Sequence, residues 1–232
     1  MKPVTLHHCV SARSFRPLWM LEELGLPYEL KMLPFPPRAL ARQFLEVNPA
    51  GTVPAFFDGA TRMTESSAIC HYLAARYSPG VLAVDVAEPD FGPWLNWLHF
   101  GEATLTFPQT LVLRYGRFEP KERRQPQVVE DYTKWFLARL RTLQPVLAER
   151  EFLCAGRFTA ADVSVGYALL VAEHLGFVPR FEPAVAAYWA RLRTRPALLR
   201  ALEVEREAAV AQGISPVPAP ATGGPDEGPV TR

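Results

Sequence analysis

A chain of 232 residues, 49% apolar and 21% charged, has the composition of an ordinary globular protein and enough length to bury a core without covalent staples. Its 25 Lys and Arg stand against 24 Asp and Glu, so no global electrostatic case exists for nucleic acid or an acidic membrane surface as partner. Cys9, Cys70 and Cys154 are too scattered for a disulfide framework or a short-spaced metal motif, no apolar run approaches the roughly 20 residues of a membrane span, and the N-terminus lacks a signal peptide's apolar core, so a soluble, cytoplasmic protein is expected.

Along the chain, PVTLHH alternates Val4, Leu6 and His8 against Thr5 and His7, the pattern of a half-buried strand. SFRPLWMLEELGLP then sets Leu18, Trp19, Leu21 and Leu24 at helical spacing, with Gly25 and Pro27 as stop signals. YELKML reads as a second strand, which makes a βαβ unit with parallel strands. After the PFPP turn, RALARQFLEV reads as one short helix ended at Asn48-Pro49. A hairpin through GTVPAFFDGATRM follows, and Ser66 to Tyr77 reads as a helix with Ala68, Ile69, Tyr72 and Leu73 on one face.

These segments predict an α/β domain over 1-78 and, where periodicity lapses among Pro79, Gly80 and Pro89, a linker over 79-90. From 91 to 210 every periodic segment is helical, which predicts an all-α second domain. Residues 211-232 are rich in Pro and Gly with almost nothing to bury, and disorder is expected there. Within the helical part, Thr159-Ala160-Ala161-Asp162 fits a capping box, a structural motif. Trp94, Trp97, Phe100, Phe107 and Tyr115 form an aromatic-rich stretch, mostly core or dimer contact by expectation, with one or two left for an apolar ligand. His7, His8, His71, His99 and His174 share no metal spacing, so no metal is assigned.

Three places carry chemistry. Pro54 interrupts a strand pattern; a cis Val53-Pro54 bond would leave the Val53 N–H and C=O free for an extended peptide, whereas a trans proline on an edge strand is the plain alternative. Glu65 and Ser66 stand where a helix begins, and together suit the ammonium and carboxylate of an α-amino acid, or else merely cap the helix. Ser11 lies just before the first helix, where its hydroxyl can donate to a thiolate and lower a thiol's pKa, unless Ser11 or Ser14 only caps.

In this order, SARSFRPLWMLEELGLPYEL, NPAGTVPAFF, MTESSAICHYLAARY, GRFTAADVSVGYALL and YWARLRTRPALLRA resemble the cytosolic glutathione S-transferase family, bacterial-type with a serine-type active site, over most of residues 4-202. The resemblance implies a thioredoxin-like N-terminal domain that binds glutathione as co-substrate, an all-helical C-terminal domain that shapes the pocket for a small hydrophobic electrophile, and a homodimer. It implies that Val53, before a cis Pro54, pairs with the cysteinyl backbone of glutathione, and that Glu65 and Ser66 hold its γ-glutamyl head. The family's S-x-x-S-x-R pattern falls on Ser11 to Arg16, which makes Ser11 the thiol-activating residue. Cysteine-type members place a cysteine where Arg13 stands, and related maleylacetoacetate isomerases carry S-S-C-S where this chain has S-A-R-S; the missing cysteine speaks against both and leaves Ser14 or Arg13 as alternatives. Many relatives have a basic residue at Thr52, so Arg42 is the candidate for the glycine carboxylate. The implied function is conjugation of the glutathione thiolate to a hydrophobic electrophile in detoxification; the alternatives are a glutathione-dependent peroxidase or disulfide reductase, or a non-catalytic binding protein of the same fold.

Overall fold

The structure, a computed structural model, describes residues 3-221. The chain forms two compact units, one of residues up to Ala83 together with Arg193–Ala219, the other built on Val84–Leu192.

In the first unit β1 (Val4–His8) pairs in parallel with β2 (Tyr28–Met32), Val4 opposite Tyr28 and His8 opposite Met32, with α1 (Phe15–Leu24) as the crossover. The alternation read in the sequence is realised: Val4, Leu6 and His8 are buried, while Thr5 and His7 are half-buried. α1 closes at Gly25, whose left-handed conformation lets its N–H reach the Leu21 carbonyl. β3 (Ala55–Asp58) runs antiparallel to β1, and β4 (Thr61–Met63) antiparallel to β3, giving the order β2-β1-β3-β4. This is the thioredoxin-like sheet, with α4 (Ser66–Tyr77) following β4.

The single helix expected over RALARQFLEV is two, α2 (Pro37–Leu40) and α3 (Phe44–Val47). Ala41 leaves helical angles at φ −141° and ψ 66°, and with Phe44 it enters an apolar cluster with Cys9, Ala12, Val53 and Ala55. Helix propensity is a weak local preference, and the chain departs from it at Ala41.

In the second unit α5 (Phe91–Phe100) runs through a π-helical stretch, Gly101–Thr106, into α6 (Phe107–Leu113) and a second π-helical stretch, Arg114–Phe118. α7 (Pro126–Leu140), α8 (Gln144–Glu149), α9 (Ala160–His174) and α10 (Pro183–Arg193) complete it. α9 starts with the expected capping box: Thr159 Oγ1 accepts from the Ala161 N–H at 3.3 Å, and Asp162 accepts from the Thr159 N–H at 2.8 Å. The Asp162 carboxylate is wholly buried and also accepts from the Leu153 N–H at 3.1 Å and the Tyr188 hydroxyl at 2.8 Å. No helix among the described residues is long and apolar enough to cross a membrane.

The last helix, α11 (Pro196–Ala211), belongs with the first unit rather than with the helical domain of 91-210 in which the sequence reading placed it. Leu198, Ala201, Glu205 and Ala209 form its buried stripe, and Arg195 and Arg200 pair with Glu23 and Glu22 of α1 at 2.8 and 3.0 Å. Past its end, the Gln212 amide takes the Met32 N–H and donates to the Leu30 carbonyl, both at 2.9 Å, so it occupies the outer edge of β2. Disorder was expected from 211 onward, yet Ile214 packs on Val10, Met32 and Ala209, and the Ala219 N–H meets the Val10 carbonyl at 2.9 Å. These two apolar residues have somewhere to bury, which composition alone does not reveal. The rest of that segment, 222-232, lies outside the described residues.

Candidate active site

The strand register gathers the candidates of the first unit at one end of the sheet. His7 of β1 faces Ala55 of β3, so Val53, two residues earlier on the antiparallel neighbour, comes beside Cys9 and the turn that follows β1. Cys9 and Ala12, on either side of that turn, share an apolar cluster with Val53. The approach to Val53 is fixed by Asn48, whose amide donates to the Thr52 carbonyl at 2.7 Å and accepts from the Ala50 N–H at 3.2 Å. Gly51 is left-handed there, with φ 64°, and a Cβ on it would lie 2.8 Å from that of Arg38. The Val53-Pro54 bond is cis, and no hydrogen bond to the Val53 N–H or C=O is found among the described residues.

Ser11 sits in the turn itself at φ 52°, the left-handed region that a non-glycine residue enters only when its surroundings hold it there. The holding group is Glu205 of α11: its Oε2 accepts the Ser11 N–H at 2.8 Å and its Oε1 accepts the Ser11 hydroxyl at 3.2 Å. The same Oε2 lies 2.9 Å from His8 Nε2, and His8 Nδ1 lies 2.7 Å from the Ser14 hydroxyl. An ionised carboxylate only accepts, so the imidazole proton sits on Nε2 and, in the neutral ring, Ser14 donates to Nδ1. Ser14 Oγ also accepts the Cys9 N–H at 3.3 Å. His8, Ser11, Ser14 and Glu205 are all buried, none more than 3% exposed.

Ser14 stands at the head of α1 but makes no capping bond; its hydroxyl serves His8 and Cys9 instead. Arg13 is half-buried on the same turn. At α4, Glu65 is the residue preceding the helix and is exposed, while Ser66 is its first residue and is buried, its hydroxyl accepting from Arg16 Nη1 at 3.2 Å. The Ser66 hydroxyl thus meets Arg16 and makes no capping bond, which removes the plain capping alternative and leaves the head-group contact as an expectation. Arg42 stands exposed between α2 and α3. The structure thus brings Ser11, Ser14 and Val53 around one turn and ties α1 to Ser66 through Arg16.

Burial pushes the Cys9 and Cys70 thiols up to about 12, with the same result and the same leading cause at Cys154. None of the three is a thiolate near neutrality. On the second unit, Leu95, Asn96, His99, Phe100, Ala103 and Thr104 line an open depression of about 410 Å³. Of the aromatic-rich stretch, Trp94 is buried, Phe100 reaches that depression and Phe107 is 52% exposed.

Two residues of this network went unread in the sequence, His8 as a site group and Glu205 altogether. A signal existed for Glu205: Leu198, Ala201, Glu205 and Ala209 follow helical spacing, so a carboxylate stands in an apolar stripe and requires a buried partner.

Residues 10-76 match the family model described as the glutathione S-transferase N-terminal domain. The chain is 29% identical to glutathione S-transferase 3 of Zea mays, over 85% of this chain and 92% of the maize protein. Among solved structures it resembles Ure2p5 from Phanerochaete chrysosporium, cocrystallised with 1-(S-glutathionyl)-2,4-dinitrobenzene, at 28% identity and a TM-score of 0.78, covering 91% of this chain and 98% of that one. It also resembles a glutathione transferase family member from Pseudomonas fluorescens pf-5 with two glutathione bound, at 25% identity and a TM-score of 0.75, covering 87% and 93%.

Proposed function

We propose, on the premise that this chain belongs to the glutathione S-transferase family, that it binds glutathione on its first unit and joins the glutathione sulfur to an apolar electrophile. The observation that carries this reading is the Val53 backbone: a donor and an acceptor with no partner among the described residues, beside the Ser11 turn. Such a pair suits the main chain of an extended tripeptide, as an added strand does. Glu65, exposed at the start of α4, takes the ammonium of the γ-glutamyl head, and the N-terminal end of α4, with the Arg16–Ser66 pair at its first turn, takes the carboxylate. Arg42 is the proposed contact for the glycine carboxylate.

Ser11 is the group proposed to act on sulfur, with Ser14 and Arg13 as alternatives on the same turn. In the reaction the thiol loses its proton, the sulfur lone pair forms a C–S bond to the electrophilic carbon, and the leaving group departs with the displaced electron pair. The two neighbouring structures hold a glutathione conjugate and glutathione, which supports the co-substrate and this bond. A homodimer is part of the proposal and is read by light scattering. The test of the reaction is conjugation of glutathione to a 1-halo-2,4-dinitrobenzene: it is expected with the parent chain and lost with Ser11→Ala. Activity retained in Ser11→Ala but lost in Ser14→Ala would move the role to Ser14.

A further inference from the structure

Ser11 has one hydroxyl hydrogen, and it is directed at Glu205 Oε1 over 3.2 Å. An O–H turned to a carboxylate offers its oxygen lone pairs, not its proton, to any other neighbour. A glutathione thiol meeting that oxygen therefore meets an acceptor for its S–H, with a second acceptor directly behind. The carboxylate is held from two further sides, by the Ser11 N–H at 2.8 Å and by His8 Nε2 at 2.9 Å, and His8 is braced in turn by Ser14 at 2.7 Å. Glu205 comes from α11, about 190 residues away in sequence, and is 3% exposed. Helix packing alone does not require a carboxylate there, since its neighbours on the stripe are Leu198, Ala201 and Ala209.

We propose that Glu205 is a positioning residue for thiol activation, which holds Ser11 in its left-handed turn and receives, through the Ser11 hydroxyl, the proton that leaves the glutathione thiol. The inference rests on the glutathione-binding reading above and adds the destination of the proton. The S–H bond breaks as an O–H bond forms on Ser11 Oγ, and the original Ser11 O–H breaks as one forms on Glu205 Oε1. The products are a thiolate, an intact serine hydroxyl and a neutral Glu205. The proton returns along the same path to the leaving group or to water when the conjugate departs.

The titratable group that faces Glu205 from β1 is His8. Arg13 is half-buried on the turn itself, and Arg16 of α1 is directed at Ser66. The remaining charges on α1 and α11 meet one another: Arg195 with Glu23, Arg200 with Glu22, and Arg206 with Glu203 and Glu207.

Glu205→Gln keeps the length of the side chain, and its carbonyl oxygen still accepts from Ser11 N–H and His8, but it takes up no proton. The experiment titrates glutathione into the full chain and the variant by calorimetry, then follows the ultraviolet absorbance of the bound thiolate against pH. The expected result is unchanged glutathione affinity, thiolate absorbance at neutral pH lowered severalfold, and conjugation at neutral pH lowered about a hundredfold through kcat rather than KM. Glu205→Asp, which retains an acceptor but draws it back by one methylene, gives an intermediate loss of thiolate absorbance and decides the matter should the Gln variant not fold. A thiolate curve that superimposes on the parent's in either folded variant overturns the proposal. A parent chain that takes up no glutathione instead defeats the reading of the site, and this is seen before any variant is made.

Discussion

Arg16, wholly buried on α1, donates through Nη1 to the Ser66 hydroxyl at 3.2 Å and so joins the first turn of α1 to the first turn of α4. Ser66→Ala takes one acceptor from a guanidinium that water does not reach. The expected cost is about 1-3 kcal/mol, read as a lower midpoint in urea with an unchanged slope. Ser66→Thr keeps the hydroxyl and is expected to recover most of it. An Ala variant as stable as the parent would show that the contact carries no energy.

Asp162 makes a prediction about pH. Burial is the dominant influence and pushes its carboxyl up to about 6, against the opposing pull of the Thr159 and Leu153 N–H groups and the Tyr188 hydroxyl. The folded state thus holds the Asp162 proton more tightly than the unfolded chain does. Its contribution to stability is complete below the ordinary value of 3.8 and is lost as pH rises through about 6. Asp162→Asn removes that dependence, so the difference in unfolding free energy between parent and variant should change between pH 4 and pH 7 in that direction. Asp162→Ala leaves two buried N–H groups and a phenol without their acceptor and is expected to cost about 3 kcal/mol or more at any pH in that range.

Much of the first unit was legible because its segments carry single, uninterrupted signals. The alternation of Val4, Leu6 and His8, the spacing of Leu18, Trp19 and Leu21, and Gly25 as a stop each follow from local geometry, and all are realised. The break at Ala41 was not legible: RALARQFLEV satisfies a helix throughout, and no Gly or Pro marks the residue that leaves helical angles. The placement of α11 was hidden for the same reason. Its stripe is amphipathic in either unit, and what assigns it is pairing with Glu22, Glu23 and the edge of β2. Spacing places Ser11 and Ser14 just ahead of α1 but carries no information on where their hydroxyls are directed. Ser11 and Ser14 both look like caps in sequence, and both hydroxyls are committed to partners, Glu205 and His8, that lie outside the motif.

The segment after α11 gives a stability test. Ile214 and Ala219 cover Val10, Met32 and Ala209 and contribute to the cluster around Cys9 and Val53. A chain ending at Gly213 exposes that surface and is expected to lose about 1-3 kcal/mol. Hydrogen exchange should rise in β1 and β2 but not at the Asp162 capping box; an unchanged exchange pattern would mean that the packing is inconsequential.

The three thiols supply a check that needs no variant. Cys9, Cys70 and Cys154 are buried, with their thiols pushed up to about 12 by burial. A disulfide reagent at neutral pH should leave all three unmodified in the native protein and modify all three in guanidinium. Rapid labelling of one thiol in the native state would identify a thiolate and reopen a cysteine-based chemistry.

Whether the first unit holds glutathione by its peptide backbone is read by a calorimetric titration of the full chain with glutathione, repeated with S-methylglutathione and with the free amino acids. Saturable heat is expected with glutathione, retained with the S-methyl analogue because the Val53 backbone and the start of α4 hold the peptide rather than the thiol, and none with the amino acids alone. Absence of saturable heat with either peptide would contradict this expectation.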